Sequence, residues 1–422
     1  MIRHLIKIIW NQRKKNGWIA AELLLVFVVL WFLTDLLFVT GTVYFSPQGY
    51  SIDHVYLVNI GMEENENGTG PDTTGNKLSV GESTLLLFDR IKTCPGVEAV
   101  CAGEAAMPYD GNNRYNSLFI ISDTIQSKNF KSVTVTPEYM DIFGFKPGKE
   151  EKKSWDEMLA GGQVILSGDL FTEIKELGGS RNKPLYRSSE GGAENEIRVG
   201  GVTEPFRGTR FNKKALWMFS ELTRDDIIQA NNPYYTSIKI AIRVKPEADR
   251  DFESFFIKNM EKQLSVGPFY LIDLTSFKDK RDAYELLTGE KRETQNAIAI
   301  TVFLFFNIFL GIFGTFWFRT ERRKEEMGLR IAVGSTPGGL KRLMTGEGLV
   351  LLTLVAIPGI ILCLNLQLLE VTNGYYMDYT ASRFLIGIAL TYLLIAGMIV
   401  LGIWYPAHQT MKMKPAEALH YE

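Results

Sequence analysis

The sequence predicts an α-helical membrane protein. Four transmembrane helices carry a large extracytoplasmic α/β domain, in which a split βαβ part holds a strand-rich insertion. Three observations predict this class. First, mean hydropathy over the 422 residues is near zero, yet the apolar residues are gathered in blocks. Residues 297–318, 348–369 and 384–407 hold no charge, and residues 18–40 are equally apolar apart from Glu22 and Asp35. A run of about 18 apolar residues or more is long enough to cross a bilayer as a helix. Second, residues 41–296 contain no such run. They form one large domain outside the bilayer, which excludes an ordinary many-span pore. Third, charge alternates across the blocks. Residues 1–17 carry five Lys/Arg and no acid, and 319–347 carry seven against four acids, whereas 41–318 carry 31 against 38. Short basic flanks stay in the cytoplasm. The N-terminus, the 319–345 segment and the C-terminus are therefore expected inside, with 41–296 and 370–383 outside.

The elements follow in order. In residues 1–17, Ile2, Leu5, Ile6 and Ile9 share one helical face and Arg3 and Lys7 the other, the pattern of an amphipathic helix lying in the cytoplasmic interface. Residues 18–40 form the first span. The stretch is longer than a signal-peptide core and no small-residue cleavage site closes it, so it reads as a retained anchor. The 41–296 domain opens with a strand-like run, Tyr50 to Ile60. A Gly/Asn/Glu-rich stretch at 61–76 reads as a mobile loop. Leu85, Phe88 and Ile91 then recur at helical spacing, Pro95-Gly96 breaks the pattern, and Val97 to Ala102 is strand-like. The far end repeats this order with a strand at Ser237 to Val244, a helix at Pro246 to Leu264, and a strand at Phe269 to Leu274. Two βαβ units at opposite ends imply one subdomain made from 45–135 and 235–275. The middle, about 136–234, has short β-type runs among Gly-rich and charged stretches and reads as an insertion. Residues 275–296 are polar and helix-compatible, and a helix continued through them would be a rod of roughly 30 Å leading into the second span, 297–318. The third and fourth spans are 346–369 and 384–405, and 406–422 is a cytoplasmic tail.

No residue set points to catalysis. There is no G-x-x-x-x-G-K-[ST] phosphate loop, no G-x-S-x-G elbow and no H-E-x-x-H pair. No catalytic, cofactor-binding or metal-binding residue is assigned, and no cofactor. No basic excess survives outside the flanks of the spans, which argues against a nucleic-acid partner. Cys363 falls inside the third span as a small hydrophobe. Cys94 and Cys101 flank the Pro95-Gly96 turn, where a disulfide is permitted; a reduced pair of packing residues is as simple. Glu22 and Asp35 lie within the first span, where acids are candidates for function or reach a neighbouring helix or the interface.

The segment after the second span is the most informative. It is a charged helix up to Val333, a break at Gly334-Ser335-Thr336-Pro337, and a short helix leading to Glu347 and the third span. Gly suits a helix end and Pro the first turn of the next. Such a helix–break–helix gives a soluble partner an edge to dock on.

These residues resemble the MacB/FtsX-like permeases of ABC transporters. The stretch from Glu321 to Gly348, "ERRKEEMGLRIAVGSTPGGLKRLMTGEG", is similar to that family's cytoplasmic signature. Tyr405-Pro406-Ala407 and Pro415-Ala416-Glu417-Ala418-Leu419 resemble its closing motif, and 135–148, 161–171 and 199–207 its external domain. The resemblance implies a type VII-like permease in the bacterial cytoplasmic (inner) membrane, with a porter-like external part and a variable insertion. It implies a homodimer or a heterodimer with a related permease. A separate ABC ATPase subunit would dock on Gly334, Ser335, Pro337, Leu340, Lys341, Arg342 and Glu347. ATP-driven motion would then move the external domain, for efflux or extraction of a peptide, lipoprotein or hydrophobic compound. The alternatives are a mechanotransmission scaffold acting on an extracytoplasmic adaptor or cell-wall hydrolase, and an antimicrobial-peptide resistance permease.

Overall fold

The computed structural model describes residues 13–63, 78–111, 114–121, 124–211, 214–229, 238–372 and 376–412. The amphipathic pattern at 2–10, most of the 61–76 loop and the 415–419 motif lie outside them. The chain divides into two units, Met1–Phe45 with Arg292–Glu422, and Ser46–Lys291.

In chain order the first unit contributes α1 (Arg13–Phe45). The second unit begins with β1 (Val55–Met62), α2 (Val80–Lys92), β2 (Val97–Glu104), β3 (Tyr115–Ile121) and β4 (Ile125–Val135). Its middle holds α3 (Glu138–Ile142), α4 (Trp155–Leu159), β5 (Val164–Leu166), α5 (Gly168–Glu176), β6 (Leu185–Tyr186), β7 (Glu196–Ile197), β8 (Val199–Val202), β9 (Trp217–Glu221) and α6 (Arg224–Gln229). It closes with β10 (Ile238–Val244), α7 (Phe252–Met260), β11 (Phe269–Ser276) and α8 (Phe277–Leu287). Then follow α9 (Glu290–Glu321), α10 (Lys324–Ala332), α11 (Pro337–Leu368) and α12 (Ala381–Lys412).

The soluble unit is built on a sheet with the order β11-β1-β10-β2-β4-β3-β6-β7; β9 branches from β4 and carries β5 and then β8. The first four strands interleave the two ends of the domain. β10 lies antiparallel between β1 and β2, and β1 lies antiparallel between β10 and β11. Each βαβ unit is thus split by a strand of the other. Register explains the two cores. Leu57, Ala241 and Cys101 stand in one row across β1, β10 and β2. With Tyr139, Phe143, Phe145 and Phe219 they belong to the core on one face. The next row, Tyr56, Ile242 and Val100, turns to the other face. There α2 brings Leu87 and Ile91, and α7 brings Phe252, Phe256 and Met260. The α2 start is fixed by a capping box between Ser79 and Glu82.

The same alternation corrects the disulfide expectation. Cys94 and Cys101 are free thiols, both buried. Cys94, just past α2, packs in the helix-covered core, and Cys101 in the opposite one. The sheet separates them. Burial pushes both thiols above their ordinary range.

In the first unit, α1, α9, α11 and α12 are long and apolar enough to cross a membrane. Phe27, Leu30 and Trp31 of α1 pack with Phe316 of α9, Leu352 and Val355 of α11, and Ile395 and Ile399 of α12. Phe303, Ile361 and Leu393 face outward, as side chains against lipid do. Helices in lipid gain little from hiding apolar area, so close approach matters more. A Cβ at Gly359 would lie 2.8 Å from a ring carbon of Phe27; the missing side chain lets the two helices meet.

Two expectations about this unit change. The 275–296 rod is interrupted. Residues 275 and 276 end β11, α8 runs to Leu287, and Gly289 adopts φ 80° before α9 begins. That is a left-handed conformation suited to glycine, and it ends the helix ahead of the span. The short helix expected before the third span is instead continuous with it, as one 32-residue helix from Pro337 to Leu368. Gly346 and Gly348 weaken a helix but do not break it when tertiary packing holds it.

Candidate functional site

The corner between α10 and α11 is built from local rules. α10 closes with a Schellman arrangement. Gly334 at φ 101° donates its N–H to Ile331 O (2.9 Å), and Ser335 donates to Arg330 O (2.9 Å). Thr336 then caps α11, its hydroxyl accepting from the Gly339 N–H at 3.3 Å, and Pro337 occupies the first turn. Two carbonyls at the end of α10 and one N–H at the start of α11 are thus satisfied by the turn itself. All residues from Ala332 to Gly339 are exposed, a protruding edge on a defined backbone.

Of the seven residues expected to meet the ATPase, Gly334, Ser335, Pro337 and Arg342 are exposed. Lys341 is half-buried and sets its ammonium 4.6 Å from the centre of the Trp404 ring, tying α11 to α12. Leu340 is buried. Glu347 is 2% exposed, so it is buried rather than part of the exposed corner. It accepts from Arg323 Nη1 at 2.5 Å and lies 3.7 Å from Arg319. Arg323 also donates to Glu326 (2.8 Å), Glu326 accepts from Arg330 (2.7 Å), and Arg319 reaches Asn16 Oδ1 (3.0 Å). This chain of charges joins α1, α9, α10 and α11 directly behind the edge. Burial works against the Arg323 charge, but hydrogen bonds to Glu326 and Glu347 hold its pKa above the usual guanidinium range. The Arg323 hydrogen bond in turn keeps Glu326 below the usual carboxylate range.

The acids of the first span have partners. Glu22 accepts from the Thr315 hydroxyl of α9 at 2.9 Å. Asp35 forms a two-pronged pair with Arg383 of α12, Nε to Oδ1 at 2.8 Å and Nη2 to Oδ2 at 2.6 Å, and both residues are buried. Nearby, Thr34 and Thr391 bring their hydroxyls to 2.9 Å. The sequence reading missed Arg383 because it sits one residue before the last charge-free block, 384–407. The signal was an acid near the end of the first apolar block and an arginine just ahead of the last one. Arg323, Glu326 and Arg330 were also missed as a group; their three- and four-residue spacing is the ordinary signature of paired charges on a helix.

Comparison with known proteins gives the following. Residues 298–415 match a family model described as FtsX-like permease C-terminal. The structure is similar to the periplasmic region of MacB from Actinobacillus actinomycetemcomitans, at 13% identity, covering 55% of this chain and 92% of that one, with a TM-score of 0.32. It is also similar to the extracellular domain of the noncanonic ABC-type transporter YknZ from Gram-positive bacteria, at 10% identity, covering 51% of this chain and all of that one, with a TM-score of 0.31. No curated protein matches the chain.

Proposed function

We propose that this chain, with its FtsX-like permease C-terminal domain over 298–415, is the transmembrane subunit of an ABC system whose ATPase is a separate protein. The ATPase docks on the α10–α11 corner, and ATP-driven movement of that corner is passed along α9 and α11. The subunit sits in the inner membrane of a bacterium as a dimer, with both termini in the cytoplasm and residues 46–291 outside. Its task is efflux or extraction of an extracytoplasmic substrate. The carrying observation is the exposed corner itself: eight consecutive exposed residues on a backbone fixed by two caps, standing on a buried charge network. A surface kept rigid and uncovered in this way suits a partner that must push on it.

The test is coupling. Proline cannot reach φ 101°, so Gly334→Pro destroys the Schellman turn without touching the spans. ATPase activity of the co-purified complex is expected to lose its stimulation by the permease in that variant and on deletion of 337–341. Full assembly and stimulation in both would remove the docking assignment.

A further inference from the structure

The soluble unit buries a cation that its core does not need. Lys131 lies on β4, on the face whose Val133 and Val135 join the core of Tyr139 and Phe219. It stands in register with Trp217 of β9, and its ammonium lies 4.6 Å from the centre of that ring. Lys131 is 8% exposed, yet among the described residues no hydrogen bond or ion pair reaches its ammonium. An ammonium has three N–H donors, and leaving them unmet inside a protein is costly. Methionine would cover the Trp217 ring without that cost. Proteins break such rules chiefly at functional sites.

Two more ammoniums gather at the same carboxylate. Lys239 of β10 and Lys280 of α8 both donate to Asp110 Oδ1, at 2.7 and 2.9 Å. Asp110 sits in the connection from β2 to β3 with its side chain buried, and it is also the acid that supports the Lys131 charge. Arg114, whose carbonyl accepts from the Ser132 N–H, adds no surplus, because it is paired with Glu104 at 2.6 Å. Three ammoniums therefore share one carboxylate, which leaves two positive charges unmatched.

We propose that Lys131, with Lys239 and Lys280, binds a phosphate group. The ligand accepts from the unmet donors of Lys131 and cancels the surplus that Asp110 leaves. A phosphate monoester carries about −1.5 to −2 at pH 7, which matches that surplus. Trp217 keeps water from one side of the ammonium, where a charge-assisted hydrogen bond is strengthened. The site lies wholly within the soluble unit and does not rest on the permease reading.

The test uses the full chain in nanodiscs of neutral lipid, with fluorotryptophan in place of tryptophan. The fluorine resonance of Trp217 is the one missing from Trp217→Phe. Inorganic phosphate is expected to shift that resonance saturably, and chloride at matched ionic strength to leave it in place. Lys131→Met should abolish the shift while raising the unfolding temperature, which separates lost binding from lost fold. Lys280→Met should weaken binding about threefold or more, and Asp110→Asn, which removes the competing carboxylate, should tighten it by about the same factor. A merely structural ion cluster predicts no gain in Asp110→Asn. Nanodiscs doped with phosphatidic acid tell the source: a Trp217 shift there without soluble phosphate identifies a lipid headgroup, and its absence a soluble phosphate. No saturable shift with either source, an equal shift with chloride, a shift that survives in Lys131→Met, or weaker binding in Asp110→Asn overturns the assignment.

Discussion

The two ends of the helical unit solve the same problem differently. At one end Asp35 and Arg383 form a closed, two-pronged pair between α1 and α12, both side chains buried. At the other, Glu347 is shared by Arg319 and Arg323, Arg323 is shared with Glu326, and Glu326 with Arg330. A closed pair fixes one geometry and leaves a bare charge when either member is lost. A shared chain keeps each charge partly matched after one link breaks, so its helices can shift while staying paired. The difference teaches where the bundle is locked and where it can move.

That contrast can be broken by mutation. The largest effect belongs to the closed pair. Asp35→Ala or Arg383→Ala is expected to destabilise the chain by about 3–5 kcal/mol, the usual result of leaving a buried charge unpaired. Asp35→Leu with Arg383→Met should lose much less. Thermal unfolding in detergent measures all three, and a double variant as unstable as the singles would mean the pair is no lock. Glu347→Gln should follow, at about 1–3 kcal/mol, because Arg323 retains Glu326. A loss as large as that of Asp35→Ala would erase the distinction between the two ends.

A buried cation that packs on a ring, its charge only partly supported by Asp110, sharpens the point. Lys131 in the soluble unit is 8% exposed and lies 4.6 Å from the centre of the Trp217 ring. Burial pushes its pKa down to about 8. The folded value is below the unfolded one, so folding is penalised in full below pH 8, and the penalty is relieved as pH rises from 8 toward the ordinary lysine value. Lys131→Met is expected to stabilise the chain at pH 7 by about 1–2 kcal/mol and to flatten the pH dependence of unfolding above pH 8. The smallest effect is at Glu326, which is more than a third exposed. Its lowered pKa gives stability that is present above the unfolded carboxylate value and lost as pH falls through the folded one. Solvent screening holds this to under about 1 kcal/mol, read as the difference in acid unfolding between wild type and Glu326→Gln.

Much of the fold was legible in residue pattern. The four apolar blocks are the cores of α1, α9, α11 and α12. The repeated βαβ pattern at the two ends of the soluble unit announced a split subdomain, because neither copy alone offers a sheet wide enough to cover two helices. The interleaving of β10 between β1 and β2 was not legible, since strand order depends on which edges meet after folding. Cys94 and Cys101 show a weaker use of the same pattern: alternation in Val97 to Glu104 already turns residue 101 away from the face that α2 covers. Gly289 was read as part of a polar helix, although glycine ahead of a span is an ordinary stop. At the candidate site, Gly334 and Pro337 were legible because they act on their own backbone. That Glu347 is buried was not legible, because its partners Arg319 and Arg323 come from a stretch more than twenty residues earlier. Asp35 and Arg383 are separated by nearly the whole chain, and only packing brings them together.

The split sheet also sets an order of events during synthesis. β1 and β2 leave the ribosome early, but the strand that belongs between them is β10. At about 5–20 residues per second, the chain from Glu104 to Ile238 takes roughly ten to thirty seconds to emerge. Through that interval β1 and β2 hold open hydrogen-bonding edges toward a gap, with the apolar faces of Val58 and Val100 beside it. The nascent domain therefore depends on being shielded until its last fifth arrives, and truncations ending before Val244 should be degraded rather than accumulate as a partial domain.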